Sequence, residues 1–261
     1  MMTANFSIII LLSLMGVCPT ASWGDICFGN LGVSDLIAGA NDALSSFLTY
    51  GDILFKRLRN ADPCTSRGCE WQKRGTHVTI PFSISRHFNR EEKLIILGAL
   101  ESFHLSTCIK FTRRIRQRDY LHFFPGKGCW SYLGRTNGRQ PISLAKNKCM
   151  AKGIVQHEVL HALGFHHEQN RSDRDSYVNI LYQNIKPAFR DQFTKVDTNN
   201  LGTLYDFDSI MHYSNTAFSR NKKPTIISKI FPGRRFGTAN EMNSFDIARV
   251  NALYGCCSSQ N

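Results

Sequence analysis

The chain reads as an α+β domain with its regular elements early and a loop-rich second half. Three observations predict this. The run His77 to Phe82 alternates apolar and polar residues as a half-buried strand does. Asn89 followed by Glu92 is a capping-box signal, and Leu94, Ile95, Leu100 and Phe103 behind it keep helical spacing to about His104. From Glu168 to Met242, by contrast, turn residues dominate and no long periodic element stands out. Ile109–Phe111, Leu121–Phe124 and Ile142–Leu144 are short strand candidates. Ala151 to Leu163 is a second helix, and Ser244 to Tyr254 a third, with Ile247, Val250 and Tyr254 on one face.

At 261 residues, 42% hydrophobic and 20% charged, the chain suits one globular domain, and it shows no repeat or biased composition. Nine cysteines suggest an oxidising compartment. Ile8 to Val17 is an apolar run of about ten residues, too short to span a bilayer, which needs roughly 20. It reads as the core of a signal peptide over residues 1–22, so the remainder is expected to be secreted, without a membrane anchor. Residues 23–59 end in Lys56-Arg57-Leu58-Arg59, a basic cluster at which an activating protease is expected to remove a prosegment near Arg59. Residues 60–261 then form the working domain. The whole chain carries +12 and this domain +13. Such an excess admits nucleic acid, an anionic membrane or an acidic matrix. No nucleic-acid motif accompanies it, and export argues against that partner.

The chemistry is concentrated in His157-Glu158-Val159-Leu160-His161-Ala162-Leu163-Gly164-Phe165-His166-His167-Glu168. On a helix each residue turns by roughly 100°, so His157 and His161 stand one turn apart on one face. Two imidazoles so placed can hold zinc, and Glu158 beside the first can reach a metal-bound water as general base. A catalytic site needs a third protein ligand and one open position. On a continued helix His167 would point about 80° away from His157. Gly164 can end the helix in a left-handed conformation and return His167 to the metal, leaving His166 facing away. A downstream methionine, Met211 in Ser209-Ile210-Met211-His212-Tyr213, completes the metzincin signature, and is expected to pack beneath the metal.

The stretch His157 to Asp175 resembles the extended signature of the astacin family, as do Cys129-Trp130-Ser131-Tyr132, the Met-turn and the ending Asn251 to Cys256. The Cys64–Cys69 pair resembles that of the teleost hatching enzymes and related six-cysteine fish astacins. The resemblance implies a two-lobed fold, with a five-stranded sheet and two long helices above a zinc cleft and an irregular lobe with a terminal helix below. It implies a secreted zinc endopeptidase made as a zymogen, working as a monomer with egg-envelope glycoproteins as substrate. The alternative is a fish astacin of an adult tissue acting on matrix or other proteins.

Residue by residue, the resemblance assigns zinc to His157, His161 and His167, general base and acid to Glu158, and a displaceable ligand that stabilises the intermediate to Tyr213. It pairs Glu168 with the mature N-terminus after activation; with the longer start here, a buried water or backbone group is the alternative. Thr49-Tyr50-Gly51-Asp52 resembles the family's latency switch, with Asp52 on the zinc and Gly51 admitting the backbone to a narrow cleft. Ser131 to Gly134 is expected as the cleft-edge strand. The implied disulfides are Cys64–Cys69, Cys108–Cys256 and Cys129–Cys149, with Cys257 unpaired.

Overall fold

A computed structural model describes residues 31–54 and 69–256. The signal segment, the Arg59 cleavage site, Cys64 and Cys257 lie outside the described residues. Helix α1 (Val33–Asn41) comes first, followed by the short strand β1 (Lys73–Arg74) and the strand β2 (His77–Ile84). Helix α2 (Arg90–Ser106) leads to β3 (Ile109–Arg113), β4 (Tyr120–Phe124), β5 (Cys129–Trp130) and β6 (Arg139–Leu144). Helix α3 (Lys152–Ala162) follows, and beyond it only β7 (Val178–Ile180), β8 (Ile226–Ser228) and α4 (Ser244–Leu253) are regular apart from short 3₁₀ segments.

The sheet runs β3-β2-β4-β6-β5, the five strands that the resemblance implies, and β1 adds two residues beside the start of β2. β2, β3, β4 and β6 are mutually parallel, and β5 is antiparallel to β6 at the edge. Alternation in β2 works as read: Val78, Ile80 and Phe82 are buried and Thr79 is exposed. These residues and their neighbours Ile109, Leu121, Phe123 and Ile142 meet α2 and α3 in one apolar core. The capping box of α2 forms in both directions, with the Glu92 N–H donating to Asn89 Oδ1 at 2.8 Å and the Asn89 N–H to Glu92 Oε2 at 2.7 Å. A second core, built on Val178, Phe193, Tyr205, Tyr213 and Phe236, supports the loop-rich half.

The cysteine pairing agrees with the resemblance where it is described. Cys108 joins Cys256 and Cys129 joins Cys149. Cys69 is disulfide-bonded, to a partner outside the described residues. Residues 23–59 carry little periodicity in sequence, yet Val33–Asn41 is helical, because Val33, Ile37 and Asn41 are buried against the rest of the chain. At the cleft edge, β5 ends at Trp130 and Ser131 continues it with a bridge to Ile53, whereas Gly134 turns away to donate its N–H to the His161 carbonyl at 2.8 Å.

Candidate active site

α3 delivers His157 and His161 from one face, fully buried, with rings 4.8 Å apart. The helix ends in a Schellman motif. Gly164, at φ +107°, donates to the His161 carbonyl at 2.9 Å, and the Phe165 N–H reaches the Leu160 carbonyl at 3.0 Å. The reversed chain carries His167 back to the pair, its ring 4.8 Å from that of His161. His166 points elsewhere and sets its ring edge-on to Tyr50 at 5.6 Å.

The three Nε2 atoms converge. His157 Nε2 lies 3.1 Å from His161 Nε2 and 3.3 Å from His167 Nε2. On the outer side, His157 Nδ1–H donates to the Ile210 carbonyl at 2.9 Å and His161 Nδ1–H to the Phe165 carbonyl at 2.7 Å. Those bonds fix the tautomer and leave the Nε2 lone pairs inward. Burial holds the His167 imidazole down at about 4, and lowers that of His161, so both are neutral donors near pH 7. Asp52 completes the cluster, its carboxylate 3.0 Å from His157 Nε2, 3.2 Å from His161 Nε2 and 3.3 Å from His167 Nε2.

This donor set fits a zinc ion. Four ligands placed tetrahedrally at ~2.05 Å would stand about 3.3 Å from one another. The distances above match that spacing, and all four donor atoms lie within 4.8 Å of each other. Glu158 is beside them, wholly buried, and neither carboxylate oxygen has a hydrogen-bond partner among the described residues. Burial first, and the Asp52 charge second, push its carboxyl well above the usual range. An isolated, destabilised carboxylate in this place is suited to taking a proton.

The turn at Met211 braces the cluster. Ser209 Oγ donates to Asp246 Oδ1 at 2.6 Å and the Ile210 N–H to Asp246 Oδ2 at 3.1 Å, so the first turn of α4 fixes the carbonyl that orients His157. Met211 is buried in the apolar core that the sheet shares with α2 and α3. Tyr213 packs its ring 4.7 Å from that of His167 and donates its hydroxyl to the Tyr50 carbonyl at 2.6 Å.

Glu168 finds partners within the domain. Both its oxygens accept from Arg249, at 2.7 and 2.8 Å, Oε1 also from Arg171 at 3.2 Å and from the Asp206 N–H at 2.7 Å. The Asp206 bond is the backbone alternative; Arg171, which the signature suggests as a structural ion-paired residue, also pairs with Asp173 at 2.9 Å, whereas Arg249 carries no signal in the sequence. Burial pushes this carboxyl up, to about 7, against the opposing pull of both guanidiniums. Asn170, within a glycosylation sequon, is buried and gives its amide to the carbonyls of Gln192 at 3.0 Å and Thr194 at 2.7 Å.

Two further contributors are not legible in the sequence. Asn41 donates to the carbonyls of Gly51 at 3.0 Å and Cys129 at 2.6 Å, and accepts from the Cys129 N–H at 2.8 Å, so one side chain pairs with the cleft edge as a strand would. His212 is buried between the Tyr213 carbonyl at 2.7 Å and the Tyr205 hydroxyl at 2.8 Å. Burial, reinforced by nearby positive groups, lowers it to about 3. Between its free value near 6.5 and that value, the unfolded chain holds a proton that the folded chain refuses. Stability should therefore fall as pH drops below 6.5, by about 1.4 kcal/mol per pH unit for this one site. Melting temperatures from pH 7 to 5 should show a shallower decline for His212→Gln than for the parent; equal slopes would remove His212 from the acid response.

With this geometry in place, comparison with known proteins decides the family. The family of astacin peptidases matches residues 67–255. The chain belongs to the astacins. Among curated relatives, high choriolytic enzyme 2 of Oryzias latipes is 45% identical over 222 residues, 84% of this chain and 80% of that one. Low choriolytic enzyme of the same fish is 40% identical over 227 residues, covering 86% and 84%. The solved structure of high choriolytic enzyme 1, described as a hatching-enzyme zinc-protease from medaka, superposes with a TM-score of 0.71 at 46% identity, over 76% of this chain and all of that one. The chain is accordingly an astacin-family metalloendopeptidase, similar to fish hatching enzymes. Among the described residues no helix is long and apolar enough to cross a membrane.

Proposed function

We propose that this astacin is a secreted zinc endopeptidase made as a zymogen, with signal peptide 1–22, prosegment 23–59 and catalytic domain 60–261, and that it digests the egg envelope at hatching. The observation that carries the enzymatic part is the convergence of the His157, His161 and His167 imidazoles on one point beside Glu158, whose carboxylate has no hydrogen-bond partner among the described residues. His157, His161 and His167 would hold the zinc. When bound, the ion supplies an acidified water and polarises the peptide carbonyl. Glu158 takes the proton of the attacking water and passes it to the leaving nitrogen. Tyr213, whose hydroxyl now serves the Tyr50 carbonyl, is free to donate to a developing oxyanion once residues 49–54 leave. Met211 and Glu168 support the site without touching substrate.

Latency follows from the same contacts. With zinc bound, the Asp52 carboxylate would be a fourth ligand and would compete with the attacking water. Ile53 bridges Ser131 in parallel, with the Ser131 N–H donating to the Asp52 carbonyl at 3.1 Å and the Leu54 N–H to the Ser131 carbonyl at 2.8 Å. These are the backbone groups to which an extended substrate would add. Gly51, at φ +83°, passes where a Cβ would stand 2.8 Å from the Tyr213 hydroxyl. Removing the Asn41 side chain leaves buried backbone groups unpaired, at about 1–3 kcal/mol each. Asn41→Ala should therefore speed amide exchange and limited proteolysis of the prosegment at least about tenfold, and unchanged rates would rule out its clamping role.

The envelope reading is supported by the similarity to choriolytic enzymes and by the domain's +13 charge, which suits an acidic matrix. Activated enzyme incubated with isolated fish egg envelopes should swell or dissolve them, with a steeper salt dependence than its cleavage of casein. Intact envelopes beside brisk casein digestion would favour an astacin of an adult tissue instead.

A further inference from the structure

The positive charge is strongly segregated. Residues 102–157 contain eleven Lys and Arg and a single acid, Asp119, a net +10. Its densest part is Arg113-Arg114-Ile115-Arg116-Gln117-Arg118, where the chain leaves β3, crosses β2 and enters β4. The crossing is held in shape. Gln117 Oε1 accepts from the Ile115 and Arg116 N–H groups at 2.8 and 3.2 Å, and Arg114 Nε donates to the Gln117 carbonyl at 2.9 Å. The Arg114 guanidinium lies 4.0 Å over the Tyr120 ring. Arg113, Arg116, Arg118 and Arg139 are exposed and make no ion pair with any described residue. Asp119, which also lines the hollow beside this crossing, feels the Arg118 charge but is engaged by Arg135 at 2.7 Å and by the Gly138 N–H at 2.6 Å, so this single carboxylate leaves the crossing strongly positive.

Beside this crossing lies an open hollow of about 480 Å³. It forms where β2 has no partner on one side, since β1 pairs only with residues 77–78 and β4 only from Phe82 onward. Thr79 and Pro81 floor it, and Trp71, Arg74, Arg118 and Arg135 wall it. We propose that the crossing and this hollow form an exosite for an acidic glycan, a sulfated or carboxylated polysaccharide. Arginine forks match sulfate and carboxylate oxygens in pairs, and their planes need less reordering than lysine stems. A hollow of this volume accepts a sugar unit, and the exposed amides of Gln72 and Gln117 suit a sugar's hydroxyls. The cleft edge β5 is three strands from β2, roughly 14 Å at ordinary strand spacing, so one glycoprotein can engage both places. The assignment does not depend on which protein the cleft cuts.

The test measures binding of the full chain to immobilised heparin and to polysialic acid against salt. Arg113→Gln/Arg116→Gln/Arg118→Gln should weaken binding at least about tenfold at physiological salt and flatten the salt dependence. Lys127→Gln/Lys146→Gln/Lys148→Gln removes the same charge elsewhere and should cost no more than about twofold. Arg116→Glu alone, exposed in the crossing, should weaken binding several-fold while leaving the melting temperature unchanged. Equal losses from the two triple variants would reduce the effect to net charge and overturn the site. Polyglutamate or duplex DNA competing as well as heparin would overturn the glycan assignment.

Discussion

Glu158→Gln is expected to bind zinc as the parent does and to lose at least about 10²-fold in kcat/KM, the usual size of lost acid–base catalysis. The substitution keeps the shape of a side chain that is wholly buried, so it opens no cavity, and Glu158 makes no hydrogen bond that the amide would break. Metal content by elemental analysis, beside casein and peptide turnover of activated enzyme, separates the two effects. Near-normal cleavage with full zinc would dismiss Glu158 as the base. Stripping the ion with a strong chelator should abolish activity in the parent, and added zinc should restore it. Acid should mimic the chelator, since protonated imidazoles cannot bind metal.

Asp52→Ala, made with an uncleavable Arg59→Ala, is expected to raise the activity of the uncut chain by roughly 10²-fold. That is the gain when a form competent about 1% of the time becomes the dominant one. The carboxylate meets all three imidazoles within 3.3 Å, and alanine offers no ligand in its place. Its charge also raises Glu158, so its loss moves the base toward its working state. Retained latency in a folded variant would show that the strand-like contacts at Ser131 and Asn41 suffice, and Asp52 would leave the mechanism.

Much of the site is legible in the sequence because its parts are close along the chain. His157, Glu158 and His161 share one helical turn, and Gly164 marks the reversal that places His167. The capping box at Asn89 and the alternation of β2 are likewise local patterns. The rest depends on partners far along the chain. Glu168 meets Arg249 across 81 residues, and Asn41 meets Cys129 across 88, with no periodicity to announce either. Helix α1 is hidden because nine residues, with a glycine among them and no side-chain cap, have little pattern of their own; burial against the domain makes them helical. β5, β7 and β8 are two or three residues each, shorter than an alternation can be read. The carbonyls of Ile210 and Phe165, which orient two of the histidines, have no side-chain signature at all.

The Cys108–Cys256 bond bears on how such an enzyme survives its own product. It closes a ring across a sequence separation of 148 that contains all three histidines, Glu158 and the whole loop-rich half. Exposed turns in that half, such as the one around Lys222, are where a protease working at high local concentration cuts its neighbours. A single cut there opens the ring without shedding a piece. The fragments remain covalently joined through Cys108 and Cys256, and the cores on either side still hold the ligands in place. Such a nicked population would be invisible on a non-reducing gel and would separate into two bands only on reduction.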